Sequence, residues 1–339
     1  MQPERKKLAL TIPPPNNFKL PSTVQNISLE ESDQAWKDFV LKCENSYYSE
    51  WFWFPLQEEC WINCWNNNGR PSNAVNYPNK WEIDLQAFGT LLMGVINSFF
   101  FKGLAGLQTK IIGGSAMQAL PHGEVITTQL IQALHFQHGI QNMRVLDMEF
   151  EIPIPARKDD PTKPDWSICQ KAWWHVINNV YERYNQNRRD LPMRLALEMR
   201  IMGGSNILLA PQYNNKFGTC SIEILTPINV DKKEWHQFMQ EVIDSWASLK
   251  DSEDRFLNIR PHWAKQWQNL IIRDIPIEDY LKNSAYKEVI PEFKQIIMQI
   301  TREAGSNWDE SMQLFAPALF KRLFDISDEN YQLEPSSKK

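Results

Sequence analysis

Three observations predict an α+β fold. Residues 144–154 and 195–202 alternate apolar and polar residues with a period of two, the mark of strands with one buried face, and three further short runs read as strands beside them. The stretches between most of these runs are long and carry helical spacing, so the strands are joined by crossovers. No repeat of solenoid period is present. The expected architecture is one large, mostly antiparallel sheet with helices on one face. Composition agrees, since 339 residues with 42% hydrophobic and 23% charged content describe an ordinary globular chain.

The elements follow in order. Residues 1–28 include Met1-Gln2-Pro3-Glu4-Arg5-Lys6-Lys7 and Pro13-Pro14-Pro15-Asn16-Asn17, and are expected to be linker-like. The main domain is expected over residues 29–326. Ser28 is an N-cap with Glu30 and Glu31 in the first turn behind it. Residues 47–54 and 60–65 read as aromatic strands joined by a short polar turn. Residues 84–119 look helical. Within them the uncharged run 87–101 falls short of the ~20 residues that cross a bilayer. It reads as a buried helix or, alternatively, as a lip making transient membrane contact. Residues 144–154 alternate as a strand, and 166–185 fit a helix that fades before Asp190-Leu191-Pro192. Residues 218–225 are the expected neighbour of a strand at 195–202. Residues 231–249 keep helical spacing through Trp235, Phe238, Val242 and Trp246. Further helix is expected to about residue 325, then a polar tail over 327–339.

Several classes are set aside. A net charge of −5 gives no basic footprint, so nucleic acid is not an expected partner. Five cysteines, an odd number, read as buried free thiols rather than a disulfide framework. Cys60 and Cys64 lack a second pair at zinc spacing, and no acid cluster completes His135 and His138, so no metal site is expected. Gly113-Gly114-Ser115 and Gly203-Gly204-Ser205 echo each other without phosphate-binding spacing. The apolar stretch at 8–12 is too short for a signal peptide, and the compartment stays open. Most of the fourteen tryptophans are expected in the core, with a minority lining a pocket.

The chemistry concentrates in two segments. In Leu195-Ala196-Leu197-Glu198-Met199-Arg200-Ile201-Met202, Glu198 and Arg200 share one strand face, roughly 6–7 Å apart. A carboxylate beside a guanidinium can orient a hydroxyl group and take its proton. A solvated face with an ion pair is the plain alternative. Downstream, Arg260-Pro261-His262-Trp263-Ala264-Lys265 places Pro261 as the first residue of an expected helix. His262 and Lys265 would then share a helix face, with Lys265 opposing the macrodipole.

Together these segments resemble the vanillyl-alcohol-oxidase superfamily of FAD oxidases, which carry a Glu-x-Arg strand and an Arg-Pro-His-Trp-(Gly/Ala)-Lys segment. A third stretch, Glu50-Trp51-Phe52-Trp53-Phe54-Pro55, looks like the family's aromatic strand. Met202-Gly203-Gly204-Ser205 and Ala210-Pro211-Gln212 look most like the substrate-binding domain of type II (covalent-flavin) cholesterol oxidases, related to sugar-lactone and alditol oxidases.

The resemblance implies FAD as cofactor, held mainly by a domain to which no part of this chain corresponds. It implies Glu198 as the base, with Arg200 holding both base and substrate oxygen. His262 would contact the cofactor, and Lys265 the substrate or a flavin carbonyl. Glu50 and Trp53 would lie at the pocket or its entrance, a solvated strand end being the alternative for Glu50. The partners implied are an alcohol or sterol and an FAD-binding domain, in cis or in trans. The alternatives are a substrate domain of aldonolactone or alditol oxidase type and a non-catalytic sterol- or lipid-binding module.

Overall fold

The computed structural model describes residues 1–16, 18, 21, 24, 26–84, 86–89, 104–135, 144–187 and 190–326. The strands are β1 (Gln2–Lys7), β2 (Tyr48–Trp53), β3 (Glu59–Trp65), β4 (Val145–Pro153), β5 (Leu197–Met202), β6 (Thr219–Pro227) and β7 (Arg260–Pro261). They form one sheet in the order β1-β3-β2-β5-β6-β4-β7, antiparallel at every pairing. The helices are α1 (Leu8–Thr11), α2 (Leu29–Asn45), α3 (Ala105–Ala119), α4 (Leu130–Leu134), α5 (Ser167–Gln186), α6 (Lys232–Ala247), α7 (Ile277–Tyr280), α8 (Val289–Glu303), α9 (Trp308–Phe315) and α10 (Ala318–Leu323). This is the expected α+β architecture.

Local chemistry explains the well-read elements. Ser28 and Glu31 make a reciprocal capping box at the start of α2. Asp231 caps α6 by accepting from the backbone N–H groups of Lys233 and Glu234. Alternation then decides which side chains meet the helices. Trp51 packs on Phe39 of α2 at 5.3 Å between ring centroids, and Trp53 on Tyr181 of α5 at 5.8 Å. Phe150 packs on Trp246 of α6 at 6.3 Å. With Leu197, Met199, Ile201, Ile222 and Ile224, these residues form one dry core. A second cluster covers one end of the opposite face, where Phe52, Trp61 and Trp65 lie with Tyr77, Met117 and Leu120.

Three expectations are corrected. Residues 2–7, expected as linker, form edge strand β1 along β3. Charged residues and a proline on an edge strand discourage further pairing, and in sequence they resemble a linker. The helix expected from Pro261 does not form. Pro261 sits in β7, the other edge strand, where its missing N–H costs nothing. His262 to Lys265 is a single turn, closed by the Lys265 N–H donating to the His262 carbonyl at 3.0 Å. Within the stretch expected as helix, Ile271–Ile272 and Ile275–Pro276 form the hairpin β8–β9. Its turn residues Arg273 and Asp274 have φ of 51° and 63°, as a type I′ turn requires.

The β5–β6 connection bears directly on the face described next. Gly204 lies so close to Asn215 that a Cβ would meet its carbonyl oxygen at 2.2 Å, so glycine is needed there. Of the run 87–101, residues 90–101 lie outside the described residues, as do His138 and the tail 327–339. No helix among the described residues is long and apolar enough to cross a membrane.

Candidate functional site

The sheet face turned away from the main core carries most of the charge. Register sets Asn63, Glu50, Arg200, Ser221, Glu151 and Arg260 in one row across six strands. The next row holds Trp61, Phe52, Glu198, Glu223 and Glu149. In this second row aromatic residues occupy the β3–β2 end and acids the β5–β4 end.

Arg200 is the first hub. Its guanidinium lies 2.5 Å from Glu198, 3.1 Å from Glu149, 3.2 Å from Glu223 and 3.9 Å from Glu50. Lys265 is the second, with Nζ 2.6 Å from Glu223, 2.9 Å from Asp147 and 4.0 Å from Glu149. Ser221 Oγ donates to Glu149 at 2.6 Å. Five carboxylates thus share two cations, and Glu151 lies on the same face with neither of its oxygens hydrogen-bonded. Among the described residues no group of His, Cys, Asp or Glu is arranged to hold a metal ion.

That imbalance controls protonation. Burial pushes the Glu198 carboxyl up to about 7, against the pull of Arg200. Burial pushes Glu151 up to about 8, reinforced by the charge on Glu149. Glu50 is raised by burial and by Glu198, and Glu223 by burial and by Glu149. Burial alone would lower Lys265, but Glu223 and Asp147 hold its ammonium well above the ordinary lysine value. Near neutral pH this face therefore holds protons that ordinary surface acids would have lost.

Of the expected site residues, Glu50, Glu198, Arg200 and Lys265 come together in this network. His262 stands at its margin, its backbone N–H donating to the Glu149 carbonyl at 3.0 Å and its Nδ1 accepting from Ala264. Trp53 does not belong to the site. It lies three residues from Glu50, an odd separation on a strand, so its ring turns into the opposite core and its indole N–H donates to the Gln57 carbonyl at 3.0 Å. Two of these side chains are already paired. Arg200 faces four carboxylates, with Glu198 nearest. Lys265 is neutralised by its acids, so it is not a free cation for a flavin edge.

Asp147, Glu149, Glu151 and Glu223 were not singled out in the sequence. The signal was available in the alternation of 145–153, which puts three acids at i, i+2 and i+4 on one face. In β6, Glu223 sits between Ile222 and Ile224 in the same way.

No family model matches the chain. No curated protein matches it either. Among solved structures it is similar to a cholesterol oxidase from Brevibacterium sterolicum, a His-to-Ala mutant, at 14% sequence identity and a TM-score of 0.46. The match covers 95% of this chain and 57% of that one, so this chain spans little more than half of that protein's length.

Proposed function

We propose that the chain is the substrate-binding portion of an FAD-dependent oxidase of alcohols, with Glu198 as the base. The supporting observation is convergence. Glu50, Glu198, Arg200 and Lys265 come from three motifs spread over more than two hundred residues, and they meet in one ion network on one sheet face. FAD, when bound, supplies the hydride acceptor. The residues present fit the substrate side of such a site, and His262 is the residue by which this chain would touch the cofactor.

The chain's own part is proton handling and placement. A carboxyl near 7 is poised to accept a hydroxyl proton at neutral pH. Arg200 fixes its position at 2.5 Å and keeps its pKa from rising further. Lys265 acts through Glu223, which it shares with Arg200, and is a positioning residue. Phe52, opposite Glu198 in register, and Trp61 beyond it are already packed with Tyr77, Met117 and Leu120, so the preference for a large apolar alcohol such as a sterol over a polyol or lactone rests on the sequence resemblance.

The test supplies a flavin-binding partner, fused upstream or added in trans, and compares sterols, aldonolactones and alditols. Sterols should reduce the flavin fastest, and Glu198→Gln should lower the reductive rate by roughly 10²–10⁴. A loss under about threefold with flavin content intact removes Glu198 as the base. The rate should rise with pH through about 7 as Glu198 loses its proton.

A further inference from the structure

We propose that Glu151 and Tyr286 form a second niche on this face, which binds one uncharged oxygen atom, a hydroxyl or carbonyl of the ligand, through two neutral O–H donors. Glu151 is 1% exposed and neither of its carboxyl oxygens has a hydrogen-bond partner; Tyr286 is 0% exposed and its hydroxyl has none either. Buried polar atoms are seldom left unmatched, because burial without a partner forfeits their hydration.

The neighbours that would ordinarily satisfy them are committed elsewhere. Ser221 gives its hydroxyl to Glu149. The Gln212 amide is turned to Met202 Sδ at 3.6 Å. Arg260 stands opposite Glu151 in register, yet it donates to the carbonyls of Ala285, Pro211 and Tyr213. Arg200 serves four other carboxylates.

Without a paired cation, and with Glu149 alongside, Glu151 is pushed up to about 8 and carries its proton at neutral pH. Arg260 joins Glu151 to Tyr286, since it stands opposite Glu151 in register and its guanidinium lies 5.0 Å from the Tyr286 ring centroid; burial also raises the Tyr286 phenol, against the pull of Arg260. Trp263 stacks on the Tyr286 ring at 5.4 Å and holds its plane. A neutral carboxylic acid beside a phenol presents two strong donors to one oxygen. The surrounding acids disfavour an anion there. Glu151 lies two strands across and two residues along from Glu198, roughly 12 Å away, so the niche is a separate contact point.

The niche needs no flavin, so its test can fail while the redox proposal stands, and the reverse. Carboxyl-labelled glutamate in the full chain, followed by NMR, should show one group titrating near about 8 that disappears in Glu151→Gln. Cyclohexanol and cyclohexanone serve as probes in ligand-observed NMR. Tyr286→Phe and Glu151→Leu should each weaken binding about threefold to tenfold, the worth of one hydrogen bond. Raising the pH through the Glu151 titration should weaken binding to the wild type and leave Glu151→Gln, which stays neutral, unaffected. Equal affinity in Tyr286→Phe and wild type would overturn the niche. So would failure of both probes to bind while Glu151 titrates near 8, an outcome that assigns the space to water alone.

Discussion

Met199 and Arg200 are adjacent on β5 and meet opposite surroundings. Met199 is fully buried with Leu197, Ile222 and Phe150 in the dry core under α2, α5 and α6. Arg200 faces Glu50, Glu149, Glu198 and Glu223 on the other side of the same sheet. Burial does different work on the two sides. On the first it removes apolar surface from water and stabilises the fold at any pH. On the second it withholds water from charges and shifts their protonation, which makes stability depend on pH.

Substitutions on the two faces should separate these effects. Phe150→Ala, in the dry core, should cost about 3–5 kcal/mol, with little difference between pH 5 and pH 8 in denaturant titrations. Arg200→Met should cost about 3 kcal/mol at pH 8 by leaving its carboxylates unpaired. Its pH dependence has a definite sign. Glu198 and Glu151 already titrate above the ordinary carboxylate range. Stability from such groups is complete below their unfolded pKa and falls as pH rises through the folded values near 7 and 8. Removing the cation raises the folded values further, so the gap between Arg200→Met and wild type should narrow toward pH 4. A gap that does not change with pH would mean that Arg200 acts through packing alone. The smallest effect is expected for Trp53→Phe. It should cost about 1–3 kcal/mol through lost packing and the lost bond to Gln57, with probe binding to the acidic face unchanged.

The sequence was legible where pattern and environment agree. Sequence pattern places strands β2 to β6 and helices α5 and α6 to within a few residues, and explicit caps mark the starts of α2 and α6. The two edge strands were missed because edges invite the residues that usually argue against a strand. Glu4, Arg5 and Lys6 in β1 look like linker, and Pro261 in β7 looks like the start of a helix. Hairpin β8–β9 lacked a glycine or asparagine to announce its turn, since Arg273 and Asp274 supply the positive φ angles. For the site, local spacing paired Glu198 with Arg200. It could not show that Glu149 and Glu223 would complete the ring, because those contacts depend on which strands pair. Trp53 was misplaced by proximity in sequence, although the strand period already sent it to the other side.

Glu149 and Glu223 each touch both Arg200 and Lys265, so the two cations and the acids around them form one connected ion network. A ligand that seats among them will change the number of protons the whole network holds. The protein should therefore exchange protons with its buffer each time it binds. Calorimetry of one ligand at neutral pH, repeated in phosphate and in Tris, should give different heats, because the two buffers ionise with different enthalpies. The slope of binding heat against buffer ionisation enthalpy counts the protons moved, making the network's shared charge a quantity that can be read without any turnover.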